Sequence, residues 1–202
     1  MKQIVVPGDM VNEAPSRISH CYVDGGKTYS MVLGIYDSES RTVVPLEGVW
    51  DPKIDEVVVG VVKSVKNKVY EVDLNHHERS IIISGKFDRI SFRTGDVVEA
   101  RIKDVENKKT IILQFPRLLS GGTVIEVKPA KVPRIVGKGN TMINQISEAT
   151  GSRIVVGKNG RIWISGGDVG LVTRAIARIE MEAHVSGLTE RIKKMLEEET
   201  RR

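Results

Sequence analysis

Residues 134–146 read RIVGKGNTMINQI, and residues 156–164 read VGKNGRIWI. Both stretches hold glycines beside lysines, and they ask to be read differently. In the first, Gly137, Lys138, Gly139 and Asn140 precede NTMINQISEATG, where Ile143, Ile146 and Ala149 recur three apart. That spacing predicts a helix with Thr141 as N-cap and Gly151 as its stop. A glycine loop ahead of a helix lets a sugar-phosphate backbone come close, and the helix N-terminus favours phosphate. The spacing departs from G-x-x-G, because Asn140 stands at the second glycine position. Asparagine tolerates the left-handed region better than most residues. In the second stretch Gly157, Lys158, Asn159 and Gly160 have G-x-x-G spacing but lie between SRIVVG and RIWIS, two strand-like runs. Asn-Gly there is a hairpin signal that backbone geometry alone explains. Context favours the first stretch as the one that touches a ligand, and spacing favours the second. Context is the stronger guide.

Working outward, GGTVIEVKP reads as a strand, and DVGLVTRAIARIEMEAH places Val169, Val172, Ile176 and Ile179 on one helical face. The order strand, glycine loop, helix, strand, strand, helix is that of a KH-type module, which binds single-stranded nucleic acid. Upstream, DEVVVGVVKSVKNKVYEVDL, SIIISGKF, GDVVEARIKDVEN and KKTIILQF give five short strands in about 60 residues, the pattern of a small OB-type barrel. Gly60 suggests a bend or bulge in the first strand, and Pro116 is expected to end the last. Residues 1–53 show only strand and turn signals, with Asp51-Pro52 as a boundary. The expected architecture is therefore mainly β followed by α+β. A small β domain spans 1–53, an OB-type barrel 54–118, a KH domain 119–184, and an amphipathic helix 185–202. Leu188, Ile192, Met195 and Leu196 share one side of that last helix, and packing against its own domain is the favoured role.

Charge follows the same divisions. Residues 1–53 carry 5 basic and 7 acidic side chains, whereas 54–118 carry 12 and 10 and 119–184 carry 9 and 5. The excess positive charge lies in the second and third segments, so a polyanion is the natural partner. No apolar run is long enough for a spanning helix, and MKQIVVPGDM does not read as a signal peptide. The lone Cys21 allows no internal disulfide and reads as a small buried apolar residue. A cytoplasmic setting without membrane contact fits these observations.

No catalytic constellation is evident. His20, His76, His77 and His184 have no metal-ligand spacing, no G-x-S-x-G elbow occurs, and GKGNT lacks the Walker form. No cofactor or metal is expected.

Four motifs carry a family resemblance. VVPGD (5–9), GDVVEARI (95–102), VPRIVGKGNTMI (132–143) and GKNGRIWISG (157–166) together resemble the RNA-binding cap subunits of the archaeal and eukaryotic exosome, over nearly the whole chain. The resemblance implies an S1-type barrel and a non-catalytic adaptor. It also implies a seat on a ring of RNase PH-type exosome subunits, beside other cap copies in a trimeric cap. The adaptor would feed single-stranded RNA to that ring for 3′-to-5′ degradation. The short chain suggests the archaeal form. In that family the G-x-N-G stretch, here Gly157 to Gly160, is read as packing the KH module against the barrel. S1-type barrels often carry an aromatic and a histidine on RNA-facing strands. SIIISGKF has no histidine, so Tyr70, His76 and Phe87 stand as substitutes. Aromatics are only 4% of residues, so charge must carry most of the affinity. The expected RNA contacts are Arg134, Gly137, Lys138, Gly139 and Asn140 in the loop, and Lys63, Lys66, Lys68, Tyr70, Arg89 and Arg93 on the barrel, with Lys103 adding charge. Two other readings compete. A polynucleotide phosphorylase fragment would place KH before S1, the reverse of this order. A purely structural cap would use the acidic first domain for protein docking without RNA contact.

Overall fold

The computed structural model describes residues 2–46, 48, 50–83, 91–106, 110–183 and 187–200. The chain divides into two compact units, residues 1–49 and 50–202.

The first unit is all β. Strands β1 (Lys2–Val5), β5 (Gly34–Asp37) and β6 (Thr42–Pro45) form one antiparallel sheet in the order β1-β5-β6. Strands β2 (Met10–Asn12), β3 (Cys21–Asp24) and β4 (Lys27–Ser30) form a second, in the order β2-β4-β3. Val5, Val11, Ile18 and Val43 make the small core, with Cys21 half-buried against it. The unit closes before the boundary expected at Asp51-Pro52. Trp50 already belongs to the next core, packed with Val58, Tyr70 and Phe92.

The second unit starts with β7 (Val57–Lys66), β8 (Val69–Asp73), β9 (Arg79–Ile83), β10 (Val97–Glu106) and β11 (Thr110–Leu118). These close into a barrel in the order β10-β11-β9-β8-β7, with β9 and β11 parallel and the other neighbours antiparallel. Alternation explains the lining. Tyr70, Val72 and Leu74 point into the core, while Glu71 and Asp73 stay partly exposed.

Two local expectations change here. Gly60 is not a bulge; the register shift falls between Val62 and Ser64. A Cβ at Gly60 would lie 2.4 Å from Val72 Cγ1, so close packing demands the glycine. Nor does Pro116 end its strand. The pairing Glu99 with Arg117 and Arg101 with Gln114 leaves Phe115 and Pro116 opposite Ala100 alone. A bulge needs no ladder donor at its extra residue, so proline fits and the strand continues to Leu118.

The remaining elements are β12 (Thr123–Glu126), α1 (Val132–Val136), α2 (Thr141–Thr150), β13 (Arg153–Val156), β14 (Arg161–Ser165), α3 (Val169–Glu182) and α4 (Leu188–Thr200). The antiparallel sheet β12-β14-β13 has two different faces. Ile162 and Ile164 of β14 pack under the helices with Ile146, Val172 and Ile176. Trp163, between them, turns to the barrel and packs with Val59 and Leu119. Helix α4 buries Leu188, Ile192 and Leu196 in the helical core, so it docks on its own domain as expected. The start of α2 differs in detail. Asn140, in the left-handed conformation, is the N-cap, and Thr141 is already helical, its Oγ1 donating to the Lys138 carbonyl at 3.0 Å.

Candidate nucleic-acid interface

The first glycine stretch forms an exposed turn between α1 and α2. Gly137 has φ 76 and ψ 170, and a Cβ there would sit 2.8 Å from the Met142 backbone nitrogen. Only glycine fits such a site. Gly139 (φ 63, ψ 29) and Asn140 (φ 66, ψ 14) follow in the left-handed region. Asparagine thus occupies the backbone conformation that a second glycine would take. Arg134, Lys138, Gly139 and Asn140 are all exposed around this turn, and no acidic residue lies in the first turn of α2.

Beside the turn runs a groove of about 630 Å³ between α2, β13 and the barrel. Ile143, Ile154 and Val156 give it an apolar floor, and Asn140 and Asn144 give it amides. The barrel wall adds Asp55, Glu56 and Glu99, against Arg117 and Lys158. These carboxylates make the groove a poorer seat for an anion than the exposed turn, which carries Arg134 and Lys138.

The second glycine stretch is a buried joint. Asn159 Nδ2 donates to the carbonyls of Val59 (2.8 Å) and Leu74 (2.9 Å), and its Oδ1 accepts from the Val59 amide at 3.2 Å. The Lys158 amide donates to the Val57 carbonyl at 2.8 Å. A Cβ on Gly157 would lie 2.7 Å from the Val59 nitrogen, and one on Gly160 2.4 Å from the Val127 carbonyl oxygen. Arg161 completes the seam. Its Nη2 reaches Asp73 Oδ2 at 3.0 Å, its Nε reaches Glu126 Oε1 at 3.0 Å, and its Nη1 donates to the Asp73 carbonyl. Burial pushes the Asp73 carboxyl up, but the Arg161 hydrogen bond and charge, the Asn75 amide and Lys63 together bring it below its ordinary value. Of the four residues in this stretch only the Lys158 side chain is exposed.

On the barrel, a shallow pocket of about 420 Å³ is lined by Ser64, Lys66, Asn67, Val69, Glu71, Arg79 and Ile81. Lys66 and Arg79 are its cations, and Arg79 Nε lies 3.4 Å from Glu71. Lys63 is exposed and pairs with Asp73 at 3.5 Å. Lys68, in the β7–β8 turn at φ 64, is exposed, as are Lys103 and Arg93, whose amide donates to Asp96. Arg89 and Phe87 lie outside the described residues.

Two aromatic assignments are corrected. Tyr70 is 5% exposed and stacks edge-on against Phe92 at 5.2 Å, so it supports the barrel core rather than a ligand. His76 has a side chain only 3% exposed, edge-on to Trp50. Burial first, and then the neighbouring His77, push its pKa down, which disfavours the protonated ring.

Residues 2–47 match the family described as the exosome RNA binding protein RRP4 N-terminal domain, and residues 122–170 match the KH domain family. The exosome complex component Rrp4 of Methanosarcina barkeri is 36% identical, covering 98% of this chain and 83% of that protein. The chain belongs to the Rrp4 family. Rrp4 of Pyrococcus furiosus is 35% identical over 96% of the chain and 83% of its own length, and Rrp4 of Pyrobaculum aerophilum 36% over 97% and 93%. A crystal structure assigned as an exosome complex RNA-binding protein superposes with a TM-score of 0.66 at 28% identity, covering 76% of this chain and 98% of that one.

Within this Rrp4-family chain, Arg79 of the barrel pocket and Arg161 of the seam stand outside the residues expected from the sequence. Arg79 was legible, because it shares the outward phase of β9 with Ile81. Tyr70 was legible too, since it alternates with Glu71 and Asp73 in step with Val72 and Leu74. Arg161 was not, since its partner Asp73 is 88 residues away in sequence.

Proposed function

We propose that this Rrp4-family chain is a non-catalytic RNA-binding subunit of the exosome. It caps a ring of RNase PH-type subunits in the archaeal cytoplasm, beside further copies of itself in a trimeric cap. From there it guides single-stranded RNA towards the channel for 3′-to-5′ degradation. The barrel acts as an S1-type domain, and the acidic first unit docks to the ring. The observation that carries the reading is the exposed loop 137–140, with Lys138 in it and Arg134 ahead of it, whose backbone lets a sugar-phosphate chain approach while the second glycine stretch, 157–160, is spent on holding the domain. Lys66 and Arg79 give the barrel a cationic counterpart.

The test is titration of labelled single-stranded RNA with the full chain, read by fluorescence anisotropy at several salt concentrations. Saturable binding that weakens steeply with salt is expected. Binding indifferent to salt, or none at all, overturns the reading.

A second reading, a cap that stabilises the ring without RNA contact, is favoured by one observation: three carboxylates face the groove beside the loop. Lys138→Glu separates the two. RNA capture by the assembled complex should fall if the loop binds RNA and stay unchanged if the cap is structural.

A further inference from the structure

Phe115 combines two costs in one place. Its φ is 51, a conformation that strains bulky side chains, and its side chain is 76% exposed, so it gains little from burial. It belongs to none of the four apolar clusters. The bulge needs only a residue that accepts the left-handed region, and glycine or asparagine would serve it at lower cost. The fold therefore does not account for a phenyl ring here.

The surroundings suggest what does. Across the strand pair, Gln114 sits opposite Arg101, and Arg117 opposite Glu99. Arg101 is exposed and has no ion-pair partner among the described residues, and Arg117 is half-exposed and ion-paired with Glu99. Arg117 also lines the groove next to the 137–140 loop. We propose that Phe115 is a base-stacking platform, with the exposed Arg101 receiving a flanking phosphate of a single-stranded RNA. A flat, sequence-tolerant ring beside guanidinium groups matches the needs of a nucleobase on an anionic backbone. An apolar peptide side chain would use the ring and leave the exposed Arg101 without a partner. This surface lies apart from the pocket at Lys66 and Arg79, and it rests on the RNA-binding reading above.

The experiment uses the full chain and a labelled twelve-nucleotide oligouridylate. Phe115→Asn keeps the left-handed backbone and removes the ring. It should raise Kd by about 5- to 150-fold, the range for one stacked base. The dependence of affinity on salt should stay unchanged, because no charge is lost. Phe115→Trp keeps a ring and should bind like the parent. Trp50 and Trp163 are buried, so quenching by RNA of the iodide-accessible emission reports the introduced indole. Unaltered affinity in Phe115→Asn overturns the stacking proposal while leaving RNA binding in place, as does unmoved indole emission during a normal anisotropy change. Absence of binding by the unmodified chain overturns the RNA-binding reading and this proposal together.

Discussion

At the scale of single residues, the two glycine stretches divide a labour that their sequences only half reveal. Asn-Gly at 159–160 announces a hairpin from sequence, but the tie from Asn159 to Val59 spans 100 residues and has no local signature. Asn159→Ala should leave one amide and two carbonyls of the barrel buried without partners. Each costs roughly 1–3 kcal/mol, so a loss of several kcal/mol is expected, read as a lower urea midpoint. The conservative Asn159→Asp keeps the acceptor but turns a carboxylate towards two carbonyl oxygens, and it should rescue little. His76 supplies a pH dependence of definite sign. Its folded pKa lies below the ordinary value near 6.5. The unfolded chain therefore takes up this proton first. Stability should fall as pH drops from about 6.5 towards the lower folded value, and level off beneath it. A urea midpoint at pH 5.5 at or above that at pH 8 would contradict this.

At the scale of elements, periodicity was readable wherever one face is buried and misleading where the backbone departs from regularity. The stripes of α3 and α4 gave their buried faces directly, since Val172, Ile176 and Ile179, and Leu188, Ile192 and Leu196, all lie in one core. The last barrel strand was harder. Proline is a reliable strand breaker only where its missing N–H would be needed, and no local pattern says that Pro116 falls in a bulge. The same limit applied to Gly60, whose neighbours Val72 and Leu74 come from β8 and the residue just after it. Helix α4 yields a direct test of its role. Ile192 is fully buried against the other helices. Ile192→Ala should destabilise the second unit by about 2–5 kcal/mol, the range for such cavities, measured by chemical denaturation. An effect near zero would mean that α4 packs elsewhere.

At the scale of the whole molecule, the division of charge was visible in the sequence, while the placement of its members was not. Among the described residues the barrel's cations include Lys66 and Arg79 at one pocket, Lys63 paired with Asp73, and Arg101 and Arg117 beside the bulge. The family was legible because four different short motifs follow one another along the chain, and their order can be read where individual contacts cannot be inferred. The seam at Asn159 and Arg161 has a consequence for how the protein comes apart. Barrel and helical domain share a buried polar network and a common apolar contact around Trp163. They should therefore lose structure in a single cooperative step. Scanning calorimetry should resolve two endotherms, a small one for residues 1–49 and a larger one for everything after it, rather than one peak for each of three sequence segments. Backbone amides in β7 and in β14, though far apart along the chain, should then exchange with solvent at a common opening free energy.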